Sequence, residues 1–155
     1  HDQSIGFFDS PVIAGIAVVF MILAGINFAL HFSVLRARQE YQAAGADFAT
    51  DFTRQDAAIL NVVRACEATL DLANHLVRLH KLGVPNTSAD AIRALANAKL
   101  LESALADRLI RMVGFRNIAV HAYQAIDLRI LESVIAQGLD DLLAACEVMR
   151  RAAEL

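Results

Sequence analysis

The sequence is poor in the residues that cross-link small proteins or keep chains irregular. Among 155 residues there are two cysteines, two prolines and seven glycines. Two cysteines cannot build a disulfide scaffold, and so little glycine and proline excludes a collagen-like or linker-dominated chain. The hydrophobic share of 57% is too high for an intrinsically disordered protein. The length suits about one folded domain.

Basic residues are missing from the first 35 positions, where the only charged side chains are Asp2 and Asp9. All 14 lysines and arginines and 15 of the 17 acidic residues lie in the rest of the chain, whose net charge is therefore −1 (14 minus 15). A nearly neutral surface gives no general positive field, so any contact with nucleic acid must come from a local basic cluster. The chain thus has two unlike parts.

The first part is dominated by an uncharged apolar run over residues 10–35. About 20 apolar residues cross a bilayer as a helix. Ser10 and Pro11 form a good helix start, and Arg36 with Arg38 supplies the basic flank typical of the cytoplasmic side. The run predicts a transmembrane helix that anchors the chain to the inner membrane. A buried helix of a globular domain and a signal peptide are the alternatives, although a signal peptide normally begins with basic residues.

Residues 1–35 also resemble part of a membrane protein. The stretch HDQSIGFFDSPVIAGIAVVFMILAGINFALHF, above all FFDSP and AGINFALHF, is similar to TrkH-type potassium transporters just after a selectivity-filter loop. That family builds its filter from four repeats, and the sequence contains neither the preceding loop nor the other repeats. Because one helix cannot form a pore of coordinating carbonyls, we expect no potassium transport. We interpret residues 1–38 as a TrkH-like fragment, of natural or artefactual origin, joined to a second domain.

The second part shows the pattern of amphipathic α-helices. Apolar residues recur at three- and four-residue steps, and no alternating strand pattern competes with them. The fold class is therefore all-α, a helical bundle over residues 39–155. The predicted helices run, in approximate bounds, from a cap at Asp51 or Thr53 to Leu82, over 89–98, over 101–113, and onward as one long helix from a cap at Asp127.

Several kinds of site are missing from this second part of the sequence. Cys66 and Cys146 lie on apolar helix faces without a Cys-x-x-Cys partner, and we interpret them as reduced core thiols. His75 and His80 are five residues apart, a spacing that does not place them on one helix face as a zinc pair. There is no glycine-rich phosphate loop, so the sequence predicts no metal, no cofactor and no ATP site of its own.

Polar groups are concentrated in RLIRMVGFRNIAVHAY, residues 108–123. His121 can exchange a proton near neutral pH, the planar guanidinium of Arg116 suits phosphate, and Asn117 can orient a substrate oxygen. Such groups can cleave RNA at its 2′-OH without a metal. On one continuous helix Arg116 and His121 point about 140° apart, so a kink at Gly114 or a second copy of the chain must bring them together. The alternative is an ordinary solvated helix face.

The segment RNIAVHAY matches R-x4-H-x-Y, and residues 40–150 resemble the HepT-like toxins of the HEPN superfamily. The resemblance includes DFTRQDAAILNVVRACEATLDLANHLV, LGVPNTSADAI and RMVGFRNIAVHAYQAIDL. It implies a HEPN-type helical bundle that forms a homodimer, with the motifs of two protomers lining one cleft. It also implies a cytoplasmic ribonuclease toxin that leaves 2′,3′-cyclic phosphate ends on its RNA substrate.

The resemblance assigns roles to individual residues. Arg116 and His121 are the implied catalytic residues, with Asn117 as a helper. Tyr123 is the implied acceptor of AMP, which a MntA-type minimal nucleotidyltransferase antitoxin would transfer from ATP. AMP adds negative charge and bulk beside the cleft, and so repels RNA phosphates.

Two further arginines of the cluster, Arg108 and Arg111, are predicted to bind RNA. Two other functions stay open at this point. The near-neutral charge favours a non-catalytic helical dimer, tethered to the membrane, that binds a partner and leaves RNA intact. The resemblance of residues 1–35 favours a non-functional fusion of a potassium-transporter fragment.

Overall fold

The computed structural model describes the backbone of residues 11–122 and 126–153, and the side chains of these ranges from Ala24 onward. All regular structure in these ranges is helical, which confirms the predicted all-α class. The helices are α1 (Pro11–Ala44), α2 (Phe52–Leu79), α3 (Ser88–Asn97), α4 (Ser103–His121), α5 (Leu128–Ser133) and α6 (Leu139–Ala153). A 3₁₀ turn (Gly45–Ala49) follows α1, and a π-helical turn (Val134–Gly138) joins α5 to α6.

Helix α2 is the centre of the bundle and contacts α1, α3, α4 and α6. Asp51 caps it, because its side chain accepts a hydrogen bond from the backbone N–H of Arg54 at 3.0 Å. Its buried side chains recur at steps of three and four residues from Ala58 to Val77. Because four helices pack on α2, its position affects where the polar side chains at the end of α4 lie.

The connection from α2 to α3 turns sharply and then starts the next helix. Gly83 adopts a left-handed conformation, with φ of 99°, which glycine reaches without steric cost. Thr87 and Asp90 then form a capping box: each side chain accepts a hydrogen bond from the other residue's backbone N–H, at 3.1 Å and 3.0 Å. These contacts fix the start of α3.

Two predicted helices differ from the observed ones. Helix α4 continues to His121, eight residues beyond the predicted end, because Phe115 and Ala119 extend its buried face. It runs through Gly114 as one continuous helix, so the helix is not interrupted there. The long helix predicted after Asp127 is divided, because the π-helical turn separates α5 from α6.

The apolar run over residues 10–35 was predicted to be a transmembrane helix. From Ala24 onward, where the side chains are described, no helix combines the length and the hydropathy needed to cross a bilayer. Leu30, Val34 and Ala37 are at most 2% exposed and belong to the same hydrophobic cluster as the buried residues of α2 and α6. This half of the run is therefore part of the bundle. The side chains of residues 11–23, which form the other half, lie outside the described residues.

Helix α1 is continuous across residues 38 and 39, where the sequence predicts a domain boundary. On the N-terminal side of this boundary, Arg38 forms an ion pair with Asp140 of α6, and its Nη2 lies 2.6 Å from Oδ1 of Asp140. On the other side, Glu40 accepts a hydrogen bond from Arg54 of α2 at 2.9 Å. Residues on both sides of the predicted boundary thus contact the same bundle.

Candidate active site

Arg116 lies near the C-terminal end of α4, and its guanidinium contacts α2. Its Nε and Nη2 form an ion pair with Oε1 of Glu67. Its Nη1 donates a hydrogen bond to Oδ1 of Asn117 at 3.0 Å. The side chain of Arg116 is 25% exposed and that of Glu67 is 41% exposed, so the pair lies at the rim of the α2–α4 contact. A cation held in this way is accessible to a phosphate from solvent.

His121 is the last residue of α4, and its side chain is exposed. Its ring has no hydrogen-bond or ion-pair partner among the described residues. The next residue, Ala122, ends the helix with a bond from its N–H to the carbonyl of Ile118 at 2.8 Å. The exposed imidazole of His121 is therefore available for contact with a substrate.

One protomer does not bring Arg116 and His121 together on one ligand. The helix between them is unbroken, so their side chains leave it about 140° apart. Arg116 turns toward α2, whereas His121 lies on the outward stripe of α4 together with Arg111 and Ile118. A site that uses both groups would need a second copy of the chain or a bend of α4.

Tyr123, the predicted AMP acceptor, lies outside the described residues. Its assignment rests on its place two residues after His121 in the sequence. The chain is described again from Ile126, and the side chain of Asp127 then caps α5 by accepting from the N–H of Arg129 at 2.8 Å.

The two arginines predicted to bind RNA differ in their surroundings. Arg108 donates through Nε to Oδ1 of Asp141 at 2.8 Å, which ties α4 to α6. It also donates to the carbonyl of Ala104 at 3.2 Å. Arg111 is exposed and has no ion-pair partner among the described residues. Of the two arginines, Arg111 is therefore the one without an acidic partner among the described residues. RNA binding by both arginines stays a prediction.

Two residues of α2 near this site were not found from the sequence, Glu67 and Arg64. One small cavity is lined by Leu70 of α2 and by Leu109 and Met112 of α4. These parts of the two helices therefore lie close together. Arg116 contacts Glu67, and Leu70 lines this cavity with Met112, an order expected of antiparallel helices, in which Arg64 lies on the His121 side of Glu67. Arg64 is exposed and has no ion-pair partner among the described residues. Only the fold reveals this proximity.

The cysteine next to Glu67 is chemically inert. Burial raises the pKa of the Cys66 thiol to about 12, and the nearby Glu67 carboxylate adds to this while Arg116 opposes it. Burial also raises the pKa of Cys146. Both cysteines are free and buried, which confirms their interpretation as reduced core thiols. Neither thiol is a nucleophile at neutral pH.

Comparison with known proteins finds one match over most of the chain and one match over a short segment. The ribonuclease HepT-like family model matches residues 33–149. An mRNA nuclease HepT of Shewanella oneidensis is 43% identical over 112 residues, which are 72% of this chain and 84% of that protein. A solved structure of the tri-AMPylated HEPN toxin of Shewanella oneidensis in complex with MNT antitoxin has a TM-score of 0.79 and 38% identity, and covers 84% of this chain and 97% of the toxin chain.

The short match concerns the other end of the chain. The Trk system potassium uptake protein TrkH of Escherichia coli K12 is 53% identical over 38 residues, which are 24% of this chain and 8% of that protein. Both resemblances expected from the sequence are thereby confirmed, as is the HEPN-type helical bundle. Because the family match covers most of the chain, the chain belongs to the ribonuclease HepT-like family.

Proposed function

We propose that this chain is an endoribonuclease toxin of a toxin–antitoxin pair, which cleaves RNA in a cleft shared by two protomers. The observation that carries the proposal is the end of α4, where an anchored but accessible Arg116 precedes an exposed and unpartnered His121 by five residues. The Shewanella relative is an mRNA nuclease, which supports the same activity here. The substrate is RNA, and the place of action is the cytoplasm.

The proposed reaction is an internal transesterification. His121 takes the proton of a ribose 2′-OH, and the 2′-oxygen attacks the adjacent phosphorus. The bond from phosphorus to the 5′-oxygen breaks, and this oxygen leaves with the proton that His121 took from the 2′-OH. Arg116 stabilises the charge that builds on the phosphoryl oxygens, and Asn117 orients the reacting groups. The products are a 2′,3′-cyclic phosphate and a 5′-hydroxyl.

The same proposal gives the two parts of the chain different roles. Residues 1–38, the TrkH-like segment, contribute part of α1 to the bundle and carry no transport function, since one helix cannot form a selectivity filter. Residues 39–155, the HepT-like domain, carry the nuclease site. In the homodimer, Arg116 of one protomer and His121 of its partner face the same RNA phosphate.

The experiment that tests the nuclease activity compares the full chain with its His121→Ala variant on single-stranded RNA. We expect cleavage to fall by about 10²–10⁴-fold, because the proton acceptor is lost. His31→Ala is the matched control, since His31 is also exposed but lies on α1. Mass spectrometry of the products checks the 2′,3′-cyclic phosphate ends. Equal cleavage by wild type and His121→Ala would refute the activity.

A mixing experiment tests the shared cleft. Arg116→Ala and His121→Ala chains are each expected to be inactive as homodimers. After they are unfolded together and refolded, the mixed dimers contain one intact arginine and one intact histidine on different protomers, and activity should return. A mixture that stays inactive, beside an active wild type, places the two groups in one protomer and contradicts the shared cleft.

The antitoxin partner is proposed to be an MNT-type nucleotidyltransferase that transfers AMP from ATP to Tyr123, as the AMPylated state of the solved relative suggests. Tyr123→Phe should keep nuclease activity but escape silencing by the antitoxin and ATP, because it lacks the hydroxyl. Tyr41→Phe is the control, since Tyr41 packs on Phe48 away from α4. Mass spectrometry after incubation would show the added AMP on wild type and on Tyr41→Phe, but not on Tyr123→Phe. AMP incorporation into Tyr123→Phe would refute this acceptor.

A further inference from the structure

Glu67 is the one acidic side chain that contacts the predicted catalytic residues among the described part of the chain. It reaches Arg116 from a different helix, across 49 positions of sequence. We propose that Glu67 is a positioning residue of the ribonuclease site, which fixes the plane of the Arg116 guanidinium so that its free N–H groups meet the scissile phosphate. This inference rests on the proposed nuclease function.

The donors of Arg116 can be counted. A guanidinium has five N–H groups. Glu67 engages Nε and Nη2 through a single oxygen, and Asn117 accepts from Nη1. Each terminal nitrogen therefore keeps one N–H without a protein acceptor. The outer edge of a guanidinium presents one N–H from each terminal nitrogen, and such a pair matches two oxygens of one phosphate.

Glu67 is well placed to hold this orientation because its own backbone is fixed. It lies in the middle of α2, between Cys66 and Ala68, which are both buried. Arginine by itself has a long and flexible side chain, and a guanidinium that must be ordered at each turnover stabilises the transition state less well. The ion pair is half exposed, so its contribution to overall stability is small. Its main effect is on orientation.

The charge of Glu67 has an opposite effect on binding. A carboxylate beside Arg116 repels RNA phosphates, so it weakens the encounter with the substrate. It does not block the site, because the two remaining N–H groups can bind phosphate while the ion pair persists. A positioning role therefore predicts that loss of Glu67 lowers kcat and leaves KM unchanged or lower. A competitor role predicts the reverse, a faster enzyme.

The test measures steady-state cleavage of a fluorophore- and quencher-labelled single-stranded RNA containing all four bases by the full chain. Glu67→Ala should lower kcat at least about tenfold, as expected for a misplaced catalytic group. Glu67→Gln should lie between wild type and Glu67→Ala, because its amide oxygen still accepts from Arg116. Glu147→Gln is the matched control, since Glu147 is similarly exposed and pairs with Arg150 and Arg151 on α6. It should change kcat less than about twofold.

The outcomes separate the inference from the function on which it rests. An unchanged or higher kcat in Glu67→Ala, or a higher KM at unchanged kcat, overturns the positioning role while the nuclease stands. If wild type does not cleave RNA, the proposed nuclease function is wrong. NMR of the Arg116 Nε–H group then tests separately whether Glu67 holds the guanidinium in place. We expect slow solvent exchange of this proton in wild type and fast exchange in Glu67→Ala. Equal exchange in both refutes the inference.

Discussion

Neighbouring side chains on α2 show how the surroundings of a residue decide its chemistry. Cys66 and Glu67 are adjacent in sequence, but the thiol faces the core while the carboxylate reaches Arg116 at the rim. Burial disfavours the charged thiolate, so Cys66 stays protonated. The Glu67 side chain is partly exposed and contacts the Arg116 guanidinium. Of the two, only Glu67 can influence a reaction at Arg116.

The raised pKa of Cys66 predicts a loss of stability in alkali. The thiol has a pKa of about 12 in the folded chain against 9.0 ordinarily, so between these values the folded state binds the proton more tightly. The stabilisation is complete below pH 9 and is lost as the pH rises, by about 1.4 kcal/mol per pH unit. Urea unfolding at about pH 8 and pH 10.5 should show wild type losing about 2 kcal/mol more than Cys66→Ala. Parallel losses would contradict this.

The site residues divide by whether their signal is local in the sequence. Arg116, Asn117 and His121 lie within six positions, so a short motif and a family resemblance suffice to single them out. Glu67 lies 49 residues from its partner in a stretch without any motif, and only the antiparallel packing of α2 and α4 brings them together. Long-range ion pairs of this kind require the fold. Tyr123 stays a prediction, because the structure does not describe it.

At the scale of the helices, the best predicted features are those with local causes. Asp51 and Asp127 cap their helices by hydrogen bonds to backbone groups two or three residues away, and such signals can be read from a few neighbouring residues. The end of α4 was missed because Gly114 weakens the local pattern, whereas burial of Phe115 and Ala119 against the bundle carries the helix past it. No local sequence pattern described above predicts the π-helical turn.

The capping box of α3 predicts a measurable loss of stability in Thr87→Ala. The substitution removes the acceptor for the N–H of Asp90, which should lower the free energy of unfolding by about 1 kcal/mol. Thr53→Ala is the control, because Thr53 is exposed in the first turn of α2 and caps nothing. It should change stability by less than about 0.5 kcal/mol. Urea denaturation followed by circular dichroism measures both, and equal effects would argue against the cap.

At the scale of the whole molecule, the main difference from the sequence prediction concerns residues 24–35 of the apolar N-terminal run. Hydropathy alone does not distinguish a helix buried in lipid from one buried in protein. The structure shows Leu30 and Val34 in the core, while Phe28, Phe32 and Leu35 face outward. From Ala24 onward, one side of α1 is thus buried against protein and the other is exposed.

This two-sided arrangement predicts different costs for two leucines of the same helix. Leu30→Ala removes a side chain with no exposed surface and should lower the free energy of unfolding by about 2–5 kcal/mol. Leu35 is 59% exposed, and Leu35→Ala should change it by less than about 0.5 kcal/mol. Thermal unfolding of the two variants makes the comparison. Similar small effects at both positions would mean that α1 does not belong to the folded bundle.

The continuity of α1 has a consequence for how two unrelated coding segments can be recombined. A helix makes its backbone hydrogen bonds internally, so a junction inside it needs no new loop and no new turn. The requirement is rotational phase: Leu30, Val34, Ala37 and Tyr41 follow one another at steps of four, three and four residues across the predicted domain boundary. Inserting one residue at the junction would rotate the upstream side chains by about 100° and turn Leu30 and Val34 toward water. Recombination within a helix is therefore tolerated only in a few registers.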